Sequence, residues 1–249
     1  MAPGSFGEGA GRPADRPNGG LEGAQRETGQ PRRDVVGGSS LRLDSQKKTV
    51  VAREQERPDV QARRVTFVAT QGQLDAARLV FLDESGFRLG SPPNYGWAPL
   101  GEKSPGKATN GDWCSMTMIG ALALDGWRGF VTIDAAMDGD VFLAYVTQEL
   151  VPRLRPGDIV VMDNLNSHRN PDALAAIGAA GADVLFLPPY SPDFNPIEKA
   201  WAKLKDILRR GPTLTRNAFD AAVAYAMDCI STADVRAWTL FSGYSLASR

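Results

Sequence analysis

The chain has 249 residues, a hydrophobic content of 43% and a formal net charge of −1. These values are typical of a soluble globular protein with one good-sized domain, and no apolar run is long enough to predict a transmembrane helix. The N-terminus lacks the apolar core of a secretory signal. Cys114 and Cys229 lie in separate apolar segments without metal-ligand spacing, so we expect buried reduced thiols in a cytoplasmic protein.

Charge is distributed unevenly along the chain. Residues 1–64 carry 12 Lys and Arg against 9 Asp and Glu, residues 65–197 carry 8 against 15, and residues 198–249 carry 8 against 5. Basic flanks suit a nucleic-acid binder, because cations must follow the phosphate backbone. An acidic centre between basic flanks is also what a metal-dependent nuclease would show, and composition alone does not decide.

The N-terminal part differs in composition from the rest. Residues 1–40 contain ten glycines and four prolines with almost no apolar periodicity, and we therefore predict a disordered tail over residues 1–44. Residues 45–64 are charged and mostly helix-forming, interrupted by Pro58, which indicates a linker or helical arm. The globular domain is predicted over residues 65–249.

Strands and helices alternate within that domain. Apolar runs predict strands at 79–82, 159–162 and 184–187, and Asp125-Gly126 predicts the turn of a hairpin between strands at 115–124 and 127–133. Helical spacing and capping residues predict helices at 138–154, 170–180, from 196 onward, 214–229 and 232–241. Strand–helix alternation favours parallel pairing, and the hairpin favours an antiparallel side. The class is therefore α/β, a mixed sheet flanked by helices, in an element order similar to that of the ribonuclease-H-like fold.

Three acidic residues lie at the ends of predicted strands or at the start of a predicted helix. Asp83 and Asp163 each come directly after a buried apolar run, and Glu198 follows Asp163 after 34 intervening residues. Carboxylates at equivalent ends of neighbouring strands can converge on one site. Close carboxylates repel one another unless cations lie between them, and hard oxygen ligands suit Mg²⁺ or Mn²⁺.

Each acid also has a structural interpretation. An aspartate at a strand end is commonly a turn former or a helix cap. The segment Asn195–Glu198 fits a capping box, with Asn195 at the N-cap, Pro196 at the first helical position and Glu198 at the third. Glu198 lies at the border of the buried helical stripe, about 100° from Ile197, and can face solvent or a cleft. Both interpretations stay open on geometry alone.

Taken together, three blocks resemble the DDE transposases of the mariner-like and bacterial insertion-sequence superfamily. They are LVFLDESGF at 79–87, IVVMDNLNSHRN at 159–170 and FLPPYSPDFNPIEKAWAKLK at 186–205. The proline-rich third block is the most distinctive, and the 34-residue spacing matches this branch. The resemblance covers residues 60–249.

The resemblance implies a ribonuclease-H-like DDE catalytic domain that cuts transposon ends and joins the freed 3′ hydroxyl to target DNA. It implies that Asp83, Asp163 and Glu198 hold two Mg²⁺ or Mn²⁺ ions. It also implies double-stranded DNA as partner (the inverted repeats and the target), a homodimer on DNA, no membrane association and a nucleoid location. The alternatives are a non-catalytic or incomplete transposase remnant and a related structure-specific nuclease.

Secondary residues are assigned with their alternatives. Asn164 positions the second aspartate or a phosphate, or forms a turn. His168 contacts DNA or lines the site, or is a neutral loop histidine. We expect Glu84 to point to the face opposite Asp83 in a structural role, and Trp201 to be in the core. A basic helix face either contacts DNA phosphates or is simply solvated, and it comprises Lys199, Lys203, Lys205, Arg209 and Arg210.

The chain departs from the family at its N-terminus. Family members carry a helix-turn-helix region of about a hundred residues that reads the inverted repeats, where this chain has the glycine- and proline-rich tract. We therefore expect a catalytic half, with residues 1–40 either a nonnative extension or an out-of-frame translation.

Overall fold

A mixed five-stranded sheet forms the centre of the protein. The computed structural model describes residues 53–89, 99, 115–211 and 215–246. The strands are β1 (Leu79–Arg88), β2 (Ser115–Ala123), β3 (Gly126–Ile133), β4 (Ile159–Met162) and β5 (Asp183–Phe186). The helices are α1 (Pro58–Gln71), α2 (Gly139–Tyr145), α3 (Pro171–Ala179), α4 (Ile197–Arg210), α5 (Arg216–Asp228) and α6 (Thr232–Phe241).

The strand order is β3-β2-β1-β4-β5. The pairs β1–β2 and β2–β3 are antiparallel, and β1–β4 and β4–β5 are parallel, as the hairpin and the alternating segments predict. In the β1–β4 pair, Phe81 lies opposite Val161. Continuing that register by two residues brings Asp83 of β1 beside Asp163, which follows β4.

Each face of the sheet is covered by helices with their own apolar core. Leu79, Phe81 and Val161 pack with residues of α1, α4, α5 and α6. Val80 and Leu82 point to the other face and pack with residues of α2 and α3. Because side chains alternate across a strand, this division assigns Asp83 to the α4 face and Glu84 to the face of α2 and α3.

Local capping explains where several helices begin. The Asp138 carboxylate accepts hydrogen bonds from two amides at the start of α2, and the Asn170 side chain does the same for α3. Ser231 and Asp234 form a complete capping box at the start of α6. Gly181, with φ +77°, lies just beyond α3 and takes a conformation that other residues rarely adopt.

Three local predictions differ from the structure. Pro58 is the first residue of α1 rather than an interruption, because a helix start needs no amide donor there. The hairpin turn lies one residue earlier than predicted, and Gly126 with φ +119° is the first residue of β3. The β1 strand continues to Arg88, since β2 pairs with it throughout, so Asp83 lies inside the strand and not beyond it.

Some predictions fall outside the described residues, namely the tail at 1–44, the first part of the arm and Cys114. Cys229 is a free thiol that is only partly buried. In the described part of the chain, every helix is too short or too polar to cross a bilayer.

Candidate active site

A cleft of about 430 Å³ collects all three predicted acids. Asp83, Asp163 and Glu198 line it, together with Asn164, Asn195 and the loop that precedes α4. The cleft lies where β1 and β4 separate, because β4 ends at Met162 while β1 continues to Arg88. Sheet register supplies two of the acids, and the first turn of α4 supplies the third.

Asp83 is held by a buried aromatic side chain. The Trp201 indole Nε1 donates a hydrogen bond to Asp83 Oδ2 at 3.2 Å. Trp201 is 2% exposed, which confirms its place in the core, and it packs against Trp127 and Phe130. A Cβ at Gly120, opposite Asp83 on β2, would lie 3.0 Å from the Trp201 ring. Glycine at this position therefore leaves the space that brings the indole to Asp83.

Asp163 is held by the single histidine. His168 is completely buried, with Nδ1 at 2.7 Å from Asp163 Oδ1 and Nε2 at 3.0 Å from Glu84 Oε2. Its ring packs on Phe142 of α2, with centroids 4.8 Å apart. Burial alone would lower the pKa of His168, but its hydrogen bonds to Asp163 and Glu84 raise that pKa to about 10.

The sequence did not predict this Glu84–His168–Asp163 chain. Glu84 does lie on the opposite face from Asp83, as expected, and its structural role is to bind the histidine that orients Asp163. The available signal was that Glu84 and His168 each lie in one of the acidic sequence blocks. Only the fold shows that these two residues, 84 positions apart in the chain, come within 3.0 Å of each other.

Glu198 occupies the first turn of α4, which begins at Ile197. The predicted capping box is not formed: neither Asn195 nor Glu198 makes a side-chain cap bond, and the buried Asn195 Oδ1 has no hydrogen-bond partner. The Asn195 backbone carbonyl instead accepts from the Glu198 amide at 3.2 Å. The Glu198 side chain is thus left to line the cleft.

The three carboxylates affect one another electrostatically. Burial and the negative charges of Glu198, Glu84 and Asp163 raise the pKa of Asp83 well above its usual range. Desolvation raises the pKa of Glu198, with Lys205 opposing the rise and Asp163 adding to it. Such mutual repulsion is what a bound cation relieves.

The donor chemistry fits Mg²⁺ or Mn²⁺, since all three side chains offer hard oxygen ligands in one accessible cleft. Among the described residues, however, no three His, Cys, Asp or Glu side chains are close enough together to form a ready-made metal site. The acids share the cleft without being gathered at metal-ligand distances.

The predicted basic face divides into two parts. Lys203 pairs with Asp234 at 2.8 Å, Lys199 lies over the Phe241 ring at 4.5 Å, and both are thereby engaged with α6. Arg210 pairs with Asp206. Lys205 and Arg209 instead follow Glu198 by seven and eleven residues, which places them on its side of α4.

Lys205 is close enough to the acids to affect their charge. Burial and Arg209 lower the pKa of Lys205, against the opposing effect of Glu198 and Asp83. Of the five predicted cations, Lys205 is therefore the one that interacts electrostatically with Glu198 and Asp83, and Arg209 lies over the Phe87 ring at 5.9 Å from its centroid. Asn164 also lines the cleft, and its Oδ1 accepts two hydrogen bonds from Arg169, at 2.8 and 2.6 Å.

The proline-rich loop before α4 is fixed by α1 and the turn that precedes it. Arg64 donates to Ser191 Oγ at 2.7 Å and binds both oxygens of Asp193, at 2.9 and 2.7 Å. Gln55 Nε2 donates to the Tyr190 carbonyl at 2.5 Å. Tyr190 itself has φ +55°, a value that bulky residues rarely adopt.

Comparison with known families identifies this arrangement. The family model described as DDE superfamily endonuclease matches residues 78–219, more than half of the chain. The chain belongs to the DDE superfamily of endonucleases. The match includes the segments that carry Asp83, Asp163 and Glu198, and it confirms the family resemblance of the three sequence blocks. No curated protein sequence matches this chain.

Solved structures similar to this chain include the Mos1 transposase paired-end complex with the left transposon end, at a TM-score of 0.67 and 12% identity. That match covers 82% of this chain and 64% of the Mos1 chain, so this chain spans less than two thirds of that protein. The catalytic domain of Mos1 mariner transposase matches at a TM-score of 0.52 and 10% identity, over 79% of this chain and 94% of that one. These likenesses confirm the ribonuclease-H-like fold.

Proposed function

We propose that this DDE endonuclease is a transposase catalytic domain that cleaves transposon DNA ends and joins the 3′ hydroxyl to target DNA. The observation that carries the proposal is the convergence of Asp83, Asp163 and Glu198 on one cleft from two strands and a helix. Further support comes from similar solved structures that include the Mos1 strand transfer complex, with a TM-score of 0.66 and 14% identity over 80% of this chain and 63% of that chain.

The three carboxylates are the residues that would hold two divalent cations, Mg²⁺ or Mn²⁺. Mos1 paired-end complexes have been solved with each of these metals. Such cations, when bound, supply Lewis-acid activation of the attacking oxygen and stabilise the leaving oxygen of a phosphodiester. Both proposed steps attack a phosphodiester, so one site suffices for both.

The chain's own residues position these acids. The indole of Trp201 orients Asp83, and the ring of His168 orients Asp163 from the opposite face of the sheet. Because about 1 Å of misplacement at a reacting centre can cost a large factor in rate, these buried contacts belong to the proposed machinery. Lys205 and Arg209, beside Glu198, contribute positive charge for DNA phosphates, which supplies affinity rather than sequence choice.

The partner is proposed to be double-stranded DNA, with two copies of the chain holding two transposon ends. Recognition of the inverted repeats by this catalytic domain is proposed to depend on a DNA-reading segment of the helix-turn-helix kind. For that reason the test supplies the DNA end directly, at high concentration, and also in the presence of any upstream reading half.

The test compares the full chain with Asp163→Asn on a duplex that carries the inverted repeat. Wild type should release strands with 3′ hydroxyl ends when Mg²⁺ or Mn²⁺ is present, and Asp163→Asn should lose at least about a hundredfold in rate. Asp228→Asn, which removes an exposed carboxylate at the end of α5, is the matched control and should cut as wild type does.

Three outcomes decide the proposal. Joined products in a target plasmid support a transposase, and cutting without any joining favours the structure-specific nuclease. No cutting under either metal, alone or with a reading half, favours the non-catalytic remnant. Equal activity of Asp163→Asn and wild type would refute the assignment of the acids.

A further inference from the structure

The helix that carries Glu198 begins without a side-chain cap. The starts of α2, α3 and α6 are each capped by the side chain that precedes them. In the described part of the chain, Pro196 at the N-cap of α4 makes no such bond. A helix start without a cap leaves backbone N–H donors without a side-chain partner. The position of the first turn of α4 therefore depends on contacts from other parts of the chain.

One of these contacts comes from the last described segment of the chain. The hydroxyl of Tyr244 donates a hydrogen bond to the Phe194 carbonyl at 2.8 Å. That carbonyl belongs to the peptide group that joins Phe194 to Asn195, and the Asn195 carbonyl in turn accepts from the Glu198 amide at 3.2 Å. Tyr244 thus fixes the orientation of a peptide group immediately before the first turn of α4.

The ring of the same tyrosine packs on the strand that carries Asp83. Tyr244 is 2% exposed, and its ring meets that of Phe81 edge-on, with centroids 5.0 Å apart. Phe81 lies two residues before Asp83 on β1, so both side chains point to the same face of the sheet. One buried side chain therefore contacts both the strand of Asp83 and the turn that leads to Glu198.

Tyr244 is itself held in position by α1. Gln71, the last residue of that helix, donates from Nε2 to the Ser242 carbonyl at 2.6 Å. Gly243 has φ +92°, and a Cβ there would lie 3.1 Å from the Gln71 side-chain oxygen, so glycine lets the chain turn beside Gln71. Burial raises the pKa of Tyr244, and the hydroxyl therefore keeps its proton and acts as a donor at neutral pH.

We propose that Tyr244 is a positioning residue that sets the separation between Glu198 and Asp83, so that both can serve as ligands of the proposed cations. This inference rests on the metal site of the proposed function. The acids line one cleft, but among the described residues no three acidic side chains are gathered at metal-ligand distances. The final approach of Glu198 to the aspartates is therefore sensitive to small movements of the turn before α4.

The test measures Mn²⁺ binding to the full chain by isothermal titration calorimetry without DNA, and then cleavage of the inverted-repeat duplex. Tyr244→Phe keeps the buried ring and removes only the hydroxyl. It should bind Mn²⁺ about tenfold more weakly and cleave about tenfold more slowly than wild type, the lower part of the range for residues that orient metal ligands. The KM for DNA should not change, because Tyr244 is buried and does not line the cleft.

Tyr145→Phe is the matched control. Tyr145 is 3% exposed, and its hydroxyl donates to the Gly129 carbonyl at 3.3 Å, so this variant also loses one hydrogen bond from a buried tyrosine to the backbone. Tyr145 packs on the face of the sheet opposite α4. The melting temperature should fall by a similar amount in both variants, while Tyr145→Phe binds Mn²⁺ and cleaves DNA as wild type does. Equal losses of Mn²⁺ affinity in both variants would overturn the positioning role.

A double-mutant cycle shows whether Tyr244 acts through Glu198. Glu198→Gln should weaken Mn²⁺ binding while leaving Asp83 and Asp163 as ligands. Adding Tyr244→Phe to Glu198→Gln should weaken binding by less than about twofold more, because the carboxylate that the tyrosine positions is already lost. The same additional loss in both backgrounds would overturn the inference.

Failure of this inference and failure of the proposed function give different results. Unchanged Mn²⁺ affinity in Tyr244→Phe overturns the positioning role alone. If wild type binds Mn²⁺ but cleaves no DNA, the proposed function is contradicted, and the Mn²⁺ affinities still decide the role of Tyr244. If wild type does not bind Mn²⁺, both are overturned.

Discussion

The aspartates and the glutamate reach the same cleft by different routes. Asp83 and Asp163 are placed by the register of two adjacent parallel strands, and each is then bound by one buried ring, Trp201 or His168. Glu198 belongs to no strand. It lies in the first turn of a helix that follows a proline-rich loop, and the position of that loop depends on contacts with α1.

The aspartates are held by strand pairing, and Glu198 is held by side-chain contacts of the loop that precedes it. Strand pairing is shared among many backbone hydrogen bonds, so no single side chain decides where the aspartates lie. The loop depends on a few contacts between distant residues: Arg64 with Asp193, Phe67 stacked on Phe194 with centroids 5.0 Å apart, and the Tyr244 hydroxyl donating to the Phe194 carbonyl at 2.8 Å. The placement of Glu198 should therefore be lost more easily than that of the aspartates.

The largest expected effect comes from the aromatic support of Asp83. Trp201→Ala removes one of the largest fully buried side chains and should lower the free energy of unfolding by about 3–5 kcal/mol, as large-to-small core substitutions do. Urea denaturation measures it. Trp201→Phe is the control, since it keeps a buried ring but removes the indole donor, and it should cost clearly less. Similar losses for both variants would show that packing contributes little here.

The support of Asp163 comes next in size. His168→Leu leaves the Glu84 carboxylate, 17% exposed, without its partner, and should cost about 1–3 kcal/mol of unfolding free energy because a buried polar group is left unsatisfied. The double variant Glu84→Gln with His168→Leu should regain part of that loss, because the isolated charge is gone. Strictly additive losses would contradict direct coupling of the pair.

The loop that carries Glu198 should respond to a change in α1. Arg64→Ala removes a partly exposed ion pair and should cost only about 1 kcal/mol in global stability. Amide exchange should nevertheless become faster in residues 188–196 while β1 and β4 keep their protection. Asp193→Asn is the matched variant, and the same local loosening is expected. If amide exchange became faster throughout the sheet as well, the aspartates would not be held more firmly than Glu198.

The smallest effect is a pH dependence at the contact between α4 and α6, where Lys203 in the middle of α4 binds Asp234 of α6. Hydrogen bonds from Lys203 and Ser231 lower the pKa of Asp234 to about 2. A lowered pKa stabilises the fold above the ordinary value of 3.8, and this contribution is lost as the pH falls toward about 2. The advantage of wild type over Asp234→Asn, about 1 kcal/mol near neutrality, should therefore narrow below about pH 4.

Urea denaturation of both proteins between about pH 6 and about pH 3 checks this. The control is Asp228→Asn, which removes an exposed carboxylate at the end of α5 that has no such partner among the pairs that the structure describes. If the difference in unfolding free energy between wild type and Asp234→Asn did not change with pH, the assigned pKa of Asp234 would be contradicted.

Much of the fold was predictable because its signals are local. Apolar runs bounded by turn residues predicted all five strands. The Asn170-Pro171 pair predicted the start of α3, and α6 covers the predicted residues 232–241. The predictions failed where two local rules compete. Asn195 and Pro196 satisfy a capping-box pattern, but in the structure the Asn195 side chain is buried and forms no cap bond.

The basic helix face shows the same limit. Helical periodicity places charges around α4, but it does not show which neighbour each one meets. The packing of α6 engages Lys199 and Lys203, and leaves Lys205 and Arg209 on the side of Glu198. Which of these cations remain on the side of Glu198 is therefore a tertiary property.

The sequence by itself determined the family, the order of strands and helices along the chain and the three acidic positions, because these follow from short patterns and their spacing. Only the tertiary structure decided how the acids are held: the indole on Asp83, the histidine between Glu84 and Asp163, and the strained Tyr190 on the wall of the cleft. Each of these contacts joins residues far apart in the chain or fixes a backbone angle through such residues. Local propensities cannot specify a partner that is brought near only when the sheet and its helices pack together.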